Sequence, residues 1–490
     1  MTKPKIIIRS ILILITLALI AYNHNGEIIP VNDGMGWDGR LYASYAANLE
    51  RSLNEKAINE YRFQRVLMSV VISKVAGITG TTLDIPTTVK AFKLFNLFWL
   101  LLALFYFLLL LQHMKLPDWI EILGFAGLFW CFPILKMTGY NPIITDTGAF
   151  ALGVAMVYHY LKAHYPIMLA IALIGSFVWP TFILFGFLIF MKKENIQDLK
   201  STGFRLERML LPAIYLLVFL IVSQAYADQF YDTYADVNPI TKSALFISVI
   251  IGAAYCYGAT GFIPNFSAIN DLIKSIKWLW IIPVVLIFVA VKFIVGHYAS
   301  PQPEQMSGGR YIINVIKQSV VNPGVFYVSH IIYFGFPLIL IAFNGHKFVK
   351  VLRNYGFGML ILTGGIIFMS LGSESRQLIN FYPLFVILLM QSLADLKTPK
   401  LEWIIGLAVL AIVWSRFWYT INDGGDIGKN LLAYPAQRYF QVFGPWMSNP
   451  NYFMNLLYCI LLTAVVFMIY KLQLSPVVAK NVSNPIKKKR

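Results

Sequence analysis

Apolar runs of about 17–25 residues, long enough to cross a hydrocarbon core as helices, recur along the whole chain. Lipid offers no hydrogen bonds to a bare backbone, so runs of this kind are restricted to α-helices. With 58% of 490 residues hydrophobic and 13% charged, no ordinary soluble domain is left over. The expected fold is an all-α polytopic membrane protein of about 12–14 transmembrane helices, with interfacial helices in the first external loop.

The runs fall near 6–22, 89–111, 118–136, 147–162, 166–178, 180–191, 208–225, 241–260, 278–296, 325–343, 355–372, 377–393, 402–419 and 452–471. The first follows "MTKPK" and precedes "NHNGE" with no small-residue cleavage pattern, which predicts a retained signal anchor. The pair around "WPT", Trp179 to Thr181, is too short for two crossings and predicts a hairpin of half-length helices. Segment 62–80, with its arginines and short apolar part, suits a helix lying at the interface. No repeat divides the chain, so 1–490 reads as one domain: 1–200 carries the motifs and the first external loop, and 201–490 is a helical bundle with further external loops.

Lysines and arginines set the orientation. With the N-terminus inside, "HMKLPD", "LKAHYP", Lys192 to Arg208, "HKFVKVLRN", "DLKTPK" and "IKKKR" are cytoplasmic, and nearly all of the net charge of +17 falls on that side. The basic balance is therefore a topology signal, and a nucleic-acid partner is not expected. Both termini are then cytoplasmic and the chemistry faces outward. No Asn-x-Ser/Thr sequon falls outside, which suits a bacterial inner membrane facing the periplasm. Cys131, Cys256 and Cys459 lie far apart in or beside apolar runs and read as small core residues.

Four external clusters carry ionisable groups beside spans, where such groups are usually paired or functional. The first is "VNDGMGWDGRLY", Val31 to Tyr42, with Asp33, Asp38 and Arg40; Trp37 and Tyr42 can stack on a sugar ring. Asp38 also suits an N-cap for the helix that follows. The second is "YRFQR", where Arg62 and Arg65 stand one helical turn apart, able to grip a phosphate or to snorkel toward headgroups. The third is "GYNPIITD", with Asp146 at the expected N-cap of helix 147–162. The fourth is "GSESRQLINFYP", where Glu374 and Arg376 are one reading of a local ion pair at a helix start. A glycine-led loop, "SGGRYIINVIKQ", offers Arg310, Tyr311 and Lys317 as a lid. HExxH, CxxC, P-loop and GxSxG patterns are absent, so a zinc hydrolase, ATPase or serine esterase has no support.

The N-terminal anchor, the external "WDGRLY", the following "YRFQR" and the later acid in "NPIITD" resemble the GT-C superfamily of membrane glycosyltransferases. Its bacterial members often show Tyr/Trp-Asp-Gly-x-x-Tyr and then Tyr-Arg-x-x-Arg, which fall here on Trp37, Asp38, Gly39 and Tyr42, and on Tyr61, Arg62 and Arg65. The resemblance covers about the first third of the chain. It implies sugar transfer from a polyprenyl-phosphate donor to a glycan or lipid acceptor beside membrane lipids, with Asp38 as base and Asp146 as a second acid. Asp33 is a weaker second candidate for base. Members differ in their need for a divalent metal, so the metal is left open and no cofactor is implied. Inverting transfer needs a carboxylate for the acceptor proton and cations for the leaving phosphate. Arg62, Arg65, Arg376 and Arg40 are the phosphate candidates, and Trp37, Tyr42, Arg310 and Glu374 the substrate contacts. A polysaccharide polymerase or ligase is the enzymatic alternative. A lipid-linked-sugar flippase is a third reading, weakened because most charges sit at helix ends, with few exceptions such as Lys292, and because no pseudo-repeat is evident.

Overall fold

A computed structural model describes residues 3–196, 207–225, 242–260, 269–301, 308–422, 447 and 449–474. The described residues are 78% helix, with no strand among them. Helices of eight or more residues begin with α1 (Lys3–His24), α2 (Gly39–Ala47), α3 (Leu67–Thr79), α4 (Ile85–Met114), α5 (Asp118–Phe129) and α6 (Asp146–Leu161). Then come α7 (Tyr165–Gly175), α8 (Glu207–Ala225), α9 (Lys242–Ala259), α10 (Trp278–Tyr298), α11 (Gly308–Ser319) and α12 (Val325–Phe334). The last are α13 (Phe336–Phe343), α14 (Gly345–Asn354), α15 (Phe357–Met369), α16 (Tyr382–Leu393), α17 (Leu401–Trp414) and α18 (Asn449–Ile469).

Among the described residues, α1, α4, α10 and α18 are long and apolar enough to cross a membrane, and two bent helix pairs bring these to six. Most other expected runs form apolar helices of 10–17 residues. A 12-residue helix rises only about 18 Å against a hydrocarbon core of about 30 Å. Helices of that length do not reach across as straight spans on length alone. The outer faces still suit an integral membrane protein: Leu279, Leu286 and Phe293 of α10 are exposed side chains with no protein over them.

Two expected spans are broken. The run 325–343 bends by 119° between α12 and α13. Gly335 takes φ +80°, closes α12 by donating its N–H to the Ile331 carbonyl, and is followed two residues on by Pro337 in the first turn of α13. The run 118–136 bends by 49° after α5, where Pro133 opens a π-turn over Pro133–Met137. The stretch around Trp179 has the two half-length pieces expected of a hairpin, α7 and the helical residues 180–190. The glycine-led segment read as a loop is helical, α11, which packs on α8 and α12; the side chain of Arg310 lies outside the described residues. Segment 62–80 is helical over Glu60–Phe63 and in α3, whose Met68, Ile72 and Ala76 are buried while Val75 and Ile78 stay exposed. The three cysteines are buried and unpaired.

Charge inside the bundle is held in pairs near the helix ends. Arg9 of α1 grips Glu121 of α5 with two hydrogen bonds, Nε to Oε2 and Nη2 to Oε1, both 2.7 Å, and Lys5 approaches the same carboxylate at 3.1 Å. Glu121 is fully buried, so its charge depends on those cations. Beyond the other end of α1, Lys136 donates to Glu27 at 2.8 Å, and Glu27 also accepts from the backbone N–H groups of Ile421 and Asn422. Asn422 accepts from the Tyr140 hydroxyl and donates to the Ile28 carbonyl, which fixes the chain just before the candidate site.

Replacing Arg9 by Ala leaves the Glu121 carboxylate buried with only Lys5 nearby. Breaking a buried pair costs about 3–5 kcal/mol, so thermal unfolding in detergent should fall by many degrees. A transition unchanged from the wild type would show that the pair does not hold α1 to α5.

Candidate active site

The loop Val31 to Asp38 is shaped by its backbone. Asn32 and Asp33 are in the left-handed region at φ 51° and 54°, the Met35 N–H donates to the Asn32 carbonyl, and the Asn32 side chain donates to the Gly36 carbonyl at 2.8 Å. Gly36 combines φ +73° with no room for a side chain, since a Cβ there would stand 2.7 Å from Asn141 Oδ1. A Cβ on Gly39 would stand 2.9 Å from the Ile143 side chain. These glycines let the first cluster lie flat against the third, and the Ile29 N–H donates to the Tyr140 carbonyl at 2.8 Å in the same layer.

Asp38 occupies the N-cap position of α2, but its side chain makes no capping bond. The capping account of this residue therefore fails. Its carboxylate is 54% exposed and faces Arg62, Oδ1 to Nη2 at 3.5 Å. That contact is at the outer limit of a hydrogen bond and open to solvent, so it orients the two groups more than it stabilises the fold. Arg62 sits on the short helix Glu60–Phe63, whose start is capped by the Asn59 side chain accepting from the Arg62 N–H.

Arg62 and Arg65 do not share a helix face, because the helix ends at Phe63 and the chain turns inward. Arg65 is 3% exposed, its guanidinium between the rings of Tyr61 at 4.3 Å and Trp179 at 4.0 Å. Trp179 comes from the apex of the short hairpin, whose Phe177 carbonyl accepts from the Leu67 N–H. The sequence marked "WPT" as a turn without connecting it to Arg65. Burial opposes the Arg65 charge, but Tyr61, Tyr42 and Asp146 outweigh it and hold the guanidinium protonated above its usual range, with Arg376 working against them.

Asp146 is the first residue of α6, not its N-cap, and it is the partner of Arg376. Arg376 Nε donates to Oδ1 at 3.3 Å and Nη2 to Oδ2 at 3.0 Å, with Asp146 5% and Arg376 19% exposed. The expected local pair between Glu374 and Arg376 is not the one formed: Glu374 accepts from Gln377 Nε2 at 3.2 Å, and its charge acts on Arg376 from farther away. Despite burial, Asp146 and Glu374 raise the Arg376 pKa. A Cβ on Gly153 would strike the Asn380 backbone, so this glycine lets α6 approach the turn that carries Arg376.

Tyr42 lies between these groups in electrostatic reach of Arg65, Tyr61, Asp38 and Arg376. Burial raises its pKa, which keeps the phenol neutral, and its buried hydroxyl has no hydrogen-bond partner. Arg62 Nε, Arg65 Nε, Asn141 Oδ1, Thr145 Oγ1 and Ser373 Oγ are likewise buried without partners. Such atoms are rare in folded proteins and mark places where a polar ligand would be satisfied. Asp33 and Arg40 are exposed and form no ion pair among the described residues. Trp37 is half-buried against the core. No group of three or more His, Cys, Asp or Glu that would hold a metal ion occurs among the described residues.

The arrangement joins an accessible carboxylate to three guanidiniums at one end of the bundle. It can take a proton at Asp38 and hold an anion against the arginines. No family model, curated protein or solved structure matches the chain.

Arg376→Ala should destabilise the protein by about 3–5 kcal/mol, because it leaves Asp146 buried and charged. Arg62→Ala, which removes a solvent-screened contact, should cost less than about 1 kcal/mol. Thermal unfolding of the two variants side by side checks the contrast, and equal losses would contradict it.

Proposed function

We propose that the chain is a GT-C type membrane glycosyltransferase that moves a sugar from a polyprenyl-phosphate donor to an extracytoplasmic glycan or lipid-linked acceptor. The observation that carries this reading is Asp38: a carboxylate at a helix start that caps nothing, stays half open to solvent and faces Arg62. Resemblance of "WDGRLY" and "YRFQR" to the family motifs supports the same assignment.

In this mechanism the acceptor hydroxyl attacks the anomeric carbon from the face opposite the phosphate. Its proton passes to the Asp38 carboxylate. The bond from the anomeric carbon to the phosphate oxygen breaks, and polyprenyl phosphate leaves with the electron pair. Arg62 and Arg65 stabilise the charge that develops on it, and Arg376 adds to the field while Asp146 fixes its direction. Tyr42 contributes a neutral hydroxyl as donor. The stacking of Arg65 on Trp179 and Tyr61 holds one cation in place before substrate arrives, so little reorganisation is needed at the moment of reaction. Catalysis on the periplasmic side of a bacterial inner membrane agrees with the charge distribution along the sequence.

Asp38→Asn should abolish sugar transfer in membranes supplied with labelled polyprenyl-phosphate sugar, while the variant stays inserted and as stable as the wild type. Full transfer by it would remove Asp38 from the mechanism. Loss of one charged hydrogen bond to the phosphate, about 1.5–3 kcal/mol, should raise the apparent donor KM of Arg62→Ala by about 10- to 150-fold. An unchanged KM would assign the phosphate to other residues.

A further inference from the structure

A cavity of about 950 Å3 is lined on one side by α14 and on another by Leu378, in the turn that carries Arg376. Its walls are mostly apolar and come from α9, α12, α13, α15 and α16, with Phe326, Phe334, Leu338, Ile366 and Phe385 among them. At one end α14 turns His346, Lys350 and Arg353 onto the space. These three are spaced i, i+4, i+7 and so form one stripe of the helix. Among the described residues, no aspartate or glutamate lines the cavity.

The stripe is far from Asp38. The first residue of α6, Asp146, holds Arg376, and Tyr160 in the last turn of α6 donates to the carbonyl of Tyr355, directly after α14. A helix of 16 residues separates its ends by about 24 Å. The cationic mouth and the Asp146–Arg376 pair therefore sit at opposite ends of the bundle.

We propose that this cavity binds an anionic phospholipid, with acyl chain among the apolar walls and the headgroup phosphate against His346, Lys350 and Arg353. The volume is at the upper end of the range for small-molecule pockets, about 300–1,000 Å3, and the walls suit hydrocarbon better than a polar metabolite. Cations at the mouth complement a phosphate. A lipid whose phosphate reacts beside Asp38 cannot also place that phosphate on Lys350, toward the opposite end of α6. The lipid that satisfies the mouth is thus a different one, drawn from the opposite leaflet. This assignment stands on the cavity and its charge alone and holds whether or not the chain transfers sugar.

Native mass spectrometry of delipidated protein reloaded from vesicles tests it. Phosphatidylglycerol should be retained at least about tenfold over phosphatidylcholine. Lys350→Glu combined with Arg353→Glu should remove that preference, and Lys350→Gln, a milder change, should weaken it. Ala259→Trp, which fills the cavity without altering charge, should reduce retention of the phosphatidylglycerol, while Arg62→Ala at the other end should leave it unchanged. Equal retention of the two lipids overturns the proposal, as does a preference that survives the charge reversal. Retention of undecaprenyl phosphate in place of phosphatidylglycerol would also overturn the phospholipid assignment.

Discussion

A charge taken out of water must be paired, and one such pair, Arg376 on Asp146, organises the candidate site. The two residues are 230 positions apart, so their contact ties the start of α6 to the turn before α16. Without the guanidinium the buried Asp146 carboxylate would lose its partner, and without the carboxylate the guanidinium would not be aimed. The close approach at Gly153 lets the turn come near enough for the pair to form. The Glu27–Lys136 pair, with its links through Asn422, holds the neighbouring loop in place.

Around that pair the site combines a rigid and an open part. Arg65 is fixed by two aromatic faces and by burial, and Arg376 by a bidentate carboxylate. Asp38 and Arg62 stand more open, joined by a contact too long and too exposed to store much energy. A group that must exchange protons with solvent-borne acceptors benefits from that openness, whereas groups that only supply a field benefit from being fixed. The cavity beneath α14 adds a second region of different chemistry, apolar with a basic mouth.

Much of this was legible in the chain, in particular places. The apolar runs gave the helical class, since lipid tolerates no other backbone. "WPT" announced the short hairpin, and Gly335 with Pro337 contained the signal for the break between α12 and α13, although length alone suggested one span. Asp38, Arg62, Arg65, Asp146 and Arg376 were all recognisable as ionisable residues beside spans. Their partners were not. A capping role for Asp38, a shared helix face for Arg62 and Arg65, and a local pair for Glu374 and Arg376 each follow from sequence proximity, and each gave way to a contact between distant segments.

The sequence by itself determined most of the helical segments, α11 apart, and which charged groups sit near their ends, because apolar length and charge placement act locally through the backbone and the solvent. Only the tertiary structure decided that Trp179 lies under Arg65, that Arg376 crosses to Asp146, and that Asp38 caps nothing. Those outcomes depend on how bent helices pack and which buried charges find each other, and both are set by distances that no local pattern records.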